Sequence, residues 1–294
     1  MSELSLTKLP EPPVDPVAAP VRASPLTRLR RISIFDALAV LILLTAASWA
    51  LFPGWFATAD PLTGDPSIKL RPPSLEHLFG TDQLGRDMWA RTVHGTVLTL
   101  QGATIAIVIG FVVGTTLGLL AGALGGWVEA VIMRVVDVLL ALPGFLIALT
   151  IVAAIGPGVV IIAIAIGITS VATFARLLRA EVLRVRKFDF VEAAALSGFT
   201  TPHIIFREIL PNSAGPVLAL VAIEISHSIV AISGLGFLGY GEPAPTPEWG
   251  VLVAEGRNYL ASAWWITTLP GVVLVLTVVS LARLSRRLQT WRSI

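Results

Sequence analysis

Two ionisable side chains stand inside an otherwise apolar run: Glu224 and His227, three residues apart and therefore on one face of any helix that carries them. A carboxylate and an imidazole so placed support two uses. They can hold each other and glue helices together, or they can line a wet path for a polar solute; either keeps the charge out of lipid, where it costs about 3 kcal/mol. Other chemistry is poorly supplied. The chain has no cysteine, hence no thiolate nucleophile, disulfide or cysteine metal site. Its four histidines, His77, His94, His203 and His227, lack ligand spacing, so no metal centre is expected. No Gly-x-x-x-x-Gly-Lys-Ser/Thr loop occurs, so any ATP used must be bound by another chain. Ser233-Gly234 vaguely suits an intramembrane serine nucleophile, but Ala231 stands where a glycine is needed and no suitable histidine follows. No catalytic residue is assigned.

The elements that must position the pair are membrane helices. Of 294 residues 55% are hydrophobic and 14% charged, and the mean hydropathy is +0.82, which places the chain mostly in lipid. A net charge of +2 gives no reason to invoke nucleic acid.

Residues 1–33 are proline-rich and poor in large apolar side chains, the composition of a disordered tail. Arg28, Arg30 and Arg31 precede the apolar run 34–52. A signal peptide is one explanation, supported by small residues near Ala50, but the long leader favours an uncleaved first span. Residues 53–95 are too long and mixed for a helix-to-helix turn, and predict an external loop with its own structure. Val97 to Trp127 carries no charge and spans about 30 Å of hydrocarbon. Within it Gly110, Gly114, Gly118 and Gly122 form a small-residue stripe that lets another helix come close. Arg134 and Asp137, three apart, are placed to pair at the start of the next span. The uncharged run from Val138 to Ala175 is cut in two by Gly156-Pro157-Gly158, and Pro143-Gly144 predicts a kink in its first half. Ser213 to Gly239 and Ser262 to Leu281 complete six spans, with Trp264 and Trp265 at the interface. Arg283, Arg286, Arg287 and Arg292 lie in the C-terminal segment 283–294.

One polar segment, Phe188 to Asn212, interrupts these runs. Asp189 with Glu192 predicts an N-cap in a variant capping box, three alanines favour helix, and Gly198 supplies a left-handed stop. Thr201 then caps a second short helix with Pro202 at its first position, closed by Pro211.

The segment resembles the EAA loop of ABC importer permeases. Glu192, Ala193, Ala194, Gly198, Leu210 and Pro211 occupy the motif positions, while Glu208 stands where the pattern has Ile. Two further stretches are similar to the dipeptide and oligopeptide branch of that family, second permease type. These are Gly80-Thr81-Asp82-Gln83-Leu84-Gly85-Arg86-Asp87 and Phe237-Leu238-Gly239 with Pro247-Glu248-Trp249-Gly250. As a bare local feature, the first is a solvated turn in which Arg86 pairs weakly with Asp82 or Asp87. The family pattern often carries an acidic residue where this chain has Ile232.

The resemblance implies an all-α membrane protein with the type I ABC importer permease fold, six transmembrane helices and a core at 96–282. It also implies a coupling helix that seats on a separate ATPase. The implied partners are a homologous second permease, two ATP-binding cassette subunits holding ATP and Mg, and an extracytoplasmic solute-binding protein. Of 21 lysines and arginines, sixteen fall on the side of the termini and the 188–212 loop, so the positive-inside bias puts both termini and that loop in the cytosol of a multi-pass cytoplasmic-membrane protein. An ion-coupled secondary transporter, a permease of the same family carrying nickel, haem or another solute, and an insertase-type membrane protein are the alternatives at this point.

Overall fold

The computed structural model describes residues 33–292. The predicted tail therefore lies almost wholly outside the described residues. Eleven α-helices are named here in chain order. They are α1 (Ile34–Leu51), α2 (Pro53–Phe56), α3 (Met88–Leu124), α4 (Gly126–Ala141), α5 (Gly144–Ile155) and α6 (Val159–Val185), followed by α7 (Asp189–Leu196), α8 (Thr201–Ile204), α9 (Leu210–Leu235), α10 (Trp249–Gly256) and α11 (Trp265–Arg292). Five segments are long and apolar enough to cross a membrane, and the bent pair α4–α5 makes a sixth.

Several helix ends have local causes. Ser33 and Asp36 form a reciprocal capping box on α1. The Gly-Pro-Gly break separates α5 from α6, where Glu242 Oε2 accepts the free N–H of Val159 at 3.1 Å. Two expectations change. The last eight residues of the predicted external loop are already the first two turns of α3, started by Asp87, whose carboxylate accepts the Ala90 N–H at 2.8 Å. Pro143 does more than kink one helix: it ends α4 and starts α5 at an 88° bend, because its ring and missing N–H prevent the helix from continuing.

The core is built on α3 against α6, the most enclosed of the long helices. Gly110, Gly114, Gly118 and Gly122 all face α6, as the four-residue spacing predicts. A Cβ on Gly114 would lie 2.6 Å from Val171 O and one on Gly118 2.5 Å from Ala175 O, so the two backbones meet without side chains between them. Along the stripe, Phe174 packs edge-on to Phe111, with Leu178 and Val182 buried on the same helix. Arg186 closes the pair by donating to Gly122 O at 2.8 Å. The predicted Arg134–Asp137 pair does not form as such: Asp137 accepts from Arg176 on α6 at 2.5 Å, a cross-helix partner that spacing along one helix does not reveal.

Gly118→Val should therefore force α3 and α6 apart and lower stability by about 1–3 kcal/mol, the usual cost of overpacking. Thermal unfolding of the purified protein in detergent checks this, with Gly54→Ala, where nothing lies within 4 Å of the added carbon, as the neutral control.

Candidate functional site

Three constellations of polar and charged side chains bear on function. The first lies where the loop before α3 meets α10 and α11. Thr81 accepts the Arg71 N–H on its hydroxyl at 2.9 Å, and its carbonyl accepts the Trp265 indole N–H at 3.1 Å. Gly80 and Gly85 both take left-handed backbone, folding the stretch back on itself. Asp82 Oδ2 then receives Arg86 Nε at 2.6 Å, and both residues are buried. Glu255 on α10 completes the cluster, 3.3 Å from Arg86 and 2.9 Å from the fully buried Arg91 of α3. Two carboxylates thus balance two guanidinia. Asp87 also holds His77 at 2.8 Å. The weak solvated turn read from the sequence is corrected: enclosure by α3, α10 and α11 puts the Arg86–Asp82 pair where losing one partner strands a buried charge.

Beside this cluster Glu248 begins α10 with no exposed surface. Its carboxylate accepts from Gly250 N at 3.0 Å, Val251 N at 3.1 Å, Thr99 Oγ1 at 3.1 Å and Ser233 Oγ at 3.3 Å. One side chain ties α3, α9 and α10 together. Burial pushes its pKa up, and the hydrogen bonds, which lower it, only partly offset that. Ser233 is accounted for as one of these donors, with no histidine beside it.

The second constellation is a groove of about 260 Å³ at the α4–α5 bend, walled by α4, α5, α6 and α9. Glu224 and His227 both line it, on the shared face the spacing predicts. They are not a tight pair. His227 Nδ1 stands 3.8 Å from Glu224 Oε1 and its side chain is 73% exposed, whereas Ser170 on α6 donates to Glu224 Oε2 at 2.8 Å. Ile232, where the related pattern is often acidic, is fully buried in the core.

The third is α7, joined to α6 through Arg186 to Phe188. Its stop is as predicted: Gly198 has φ +84°, its N–H donates to Ala195 O and the Phe199 N–H to Ala194 O, a Schellman closure. Its start is not. Phe188 is the N-cap in extended backbone, so Asp189 and Glu192 sit inside the first turn without a capping bond, favoured there only by the helix dipole. The chain reaches that register because the Phe188 N–H turns back to Val185 O and Arg184 lies over its ring. Likewise Thr200, not Thr201, precedes α8, with Pro202 in the first turn. Pro211 does not close the second helix: a π-turn at Ile205–Ile209 widens the backbone ahead of the proline and carries α8 directly into α9. Glu192 and Ala193 are exposed, Ala194 half-buried, and Leu196 is 83% exposed. Leu210 and Pro211 lie at the start of α9, ahead of the buried Ser213.

Residues 114–291 match the model of the family described as binding-protein-dependent transport system inner membrane component. The chain belongs to this family. It is an integral inner-membrane permease. The permease is 39% identical over 248 residues to the di/tripeptide transport system permease protein DppC of Pseudomonas aeruginosa, covering 82% of each chain. It is 35% identical over 229 residues to the probable D,D-dipeptide transport system permease protein DdpC of Escherichia coli, covering 78% of this chain and 77% of that one. Its fold is that of the permease in inward-facing structures of the MetNI methionine ABC transporter, with a TM-score of 0.57 at 16% identity over 69% of this chain and 97% of that one. The type I ABC importer permease fold expected from the sequence is thereby found, and the ion-coupled and insertase alternatives are not favoured.

Sequence reasoning missed Arg91, Glu255 and the anchoring role of Glu248. Their partners lie up to 169 residues away, and only the unusual density of charge near Asp82 hinted at an enclosed site. The raised pKa of Glu248 has a defined sign. Its contribution to stability is complete below the ordinary glutamate value of 4.5 and is lost as pH rises through the higher folded-state value. Glu248→Gln should flatten that decline in detergent-solubilised permease; an unfolding midpoint with the wild-type pH slope would contradict it.

Proposed function

We propose that this permease is one of two membrane-spanning subunits of an ATP-driven importer of di- and oligopeptides. The curated relatives named for dipeptide and di/tripeptide transport support the cargo class. A homologous second permease, two ATP-binding cassette subunits that carry ATP and Mg, and an extracytoplasmic solute-binding protein complete the assembly. The arginine-rich side, with both termini (1–33 and 283–294) and the 188–212 loop, faces the cytosol, and the 53–95 loop faces the other compartment. Residues 96–282 are the transport core.

The observation that carries this reading is the form of α7. It has one buried residue, Val191, and one half-buried, Ala194, and presents its other six side chains outward on a helix fixed at both ends, which is the form of a knob awaiting a socket. Ala193 and Ala194 keep that face shallow enough to seat in an ATPase groove, Glu192 offers a charge to a basic partner residue, and Gly198 fixes the exit turn. Leu210 and Pro211 start the helix that relays the motion to Glu224 and His227. Closure of the two ATPases draws the coupling helices together and exchanges inward-open for outward-open states.

Gly198→Val forces a β-branched residue into left-handed backbone, at about 1–2 kcal/mol. In proteoliposomes holding the complete transporter, peptide uptake per ATP hydrolysed should fall at least about tenfold. An unchanged ratio contradicts the assignment of the coupling helix.

A further inference from the structure

We infer that the groove at the α4–α5 bend is a subsite for the α-ammonium of a peptide in transit, with Glu224 as its receiving carboxylate. This rests on the peptide-import reading above and adds to it where along the path the cargo is recognised and by which end.

Glu224 is one of the few carboxylates in the spans, and its two oxygens are treated differently. Oε2 is held by Ser170 at 2.8 Å, while the nearest side-chain group recorded for Oε1 is His227 Nδ1 at 3.8 Å, beyond hydrogen-bond length. The carboxylate is thus oriented by α6 and left with acceptor capacity on its second oxygen. His227, a cation only when protonated, is the one basic side chain in the groove, and the other walls supply no competing cation. Neither lysine nor arginine lines the groove; its polar members besides Glu224 and His227 are Thr169, Ser170 and Thr173, and Thr169 spends its proton on Ile166 O. The remaining wall is apolar, with Leu142, Phe145 and Ile166 among it.

Those features select a small cation attached to an organic body. The volume of about 260 Å³ falls just below the usual range of ligand pockets, suited to one terminal residue rather than a whole oligopeptide. An α-ammonium is the cation that unmodified peptides share whatever their side chains, so a site that reads it tolerates sequence variety. A charge-assisted bond to one carboxylate oxygen gives recognition, and the open groove with a single such bond keeps affinity low enough for release.

The test uses the complete transporter, purified and without its solute-binding protein, in equilibrium dialysis against radiolabelled Ala-Ala and N-acetyl-Ala-Ala. Wild type should bind Ala-Ala with a Kd of about 1 mM and the acetylated form at least about tenfold more weakly. Glu224→Gln, whose amide oxygen can keep the Ser170 bond, should bind both forms equally weakly, and Ser170→Ala, which keeps the charge but loses the bond that orients it, should bind Ala-Ala more weakly than wild type yet still more tightly than the acetylated form. Uptake of Ala-Ala by the wild-type complete system serves as the separate arm. Absence of uptake overturns the peptide reading itself. Uptake with no saturable binding below about 10 mM, or with equal binding of the two dipeptides, overturns the ammonium subsite alone. If Glu224→Gln does not assemble, Glu224→Asp replaces it, with weakened but preserved preference expected and a lost preference for the ammonium form counting against the proposal.

Discussion

Backbone contact between α3 and α6 is the constraint on which the remaining geometry depends. In lipid no hydrophobic force presses helices together, so close packing must come from shape, and the four glycines of α3 let Val171 and Ala175 of α6 approach with nothing between. Once fixed, α6 determines two distant features. Near its middle it presents Ser170 to Glu224, and at its end it leads within three residues to α7, the element exposed for a partner. Arg186, bonded to the end of α3, makes the root of α7 part of the same rigid pair.

At the opposite end, charge does the positioning. Arg86, Arg91, Asp82 and Glu255 pair in an enclosed site, with Arg91 Nε left 3.8 Å from Asp82 Oδ2, and Glu248 joins α3, α9 and α10 through hydrogen bonds. Buried ion pairs add little net stability compared with apolar packing, but separating them strands a buried charge, which holds the loop before α3 against α10 and α11. Each end of the bundle is thus tied, glycine contact and Arg186 at one, ionic closure at the other. The groove at the bent α4–α5 segment holds Glu224.

Features governed by neighbours in sequence were legible before the structure. The spans, the Gly-Pro-Gly break, the glycine stripe and the left-handed stop at Gly198 follow from local propensity, and the shared face of Glu224 and His227 from helical spacing. Features governed by competition between adjacent elements were not. Asp189 has the right type for a cap, yet the preceding helix ends so that Phe188 takes that place, and Pro211 signals a helix end that a π-turn upstream makes unnecessary. Tertiary partners were invisible for a simpler reason: nothing local to Arg91 names Glu255, and nothing local to Asp137 names Arg176.

Helix α7 forms an exposed, rigidly rooted knob, proposed above to face the compartment where ATP is hydrolysed. Leu196, 83% exposed at its tip, is the position to interrogate. The chain has no native cysteine, so Leu196→Cys introduces a single thiol. A membrane-impermeant maleimide should modify it in inside-out vesicles and leave it untouched in intact cells with a permeabilised outer envelope. Modification from outside intact cells would contradict the account.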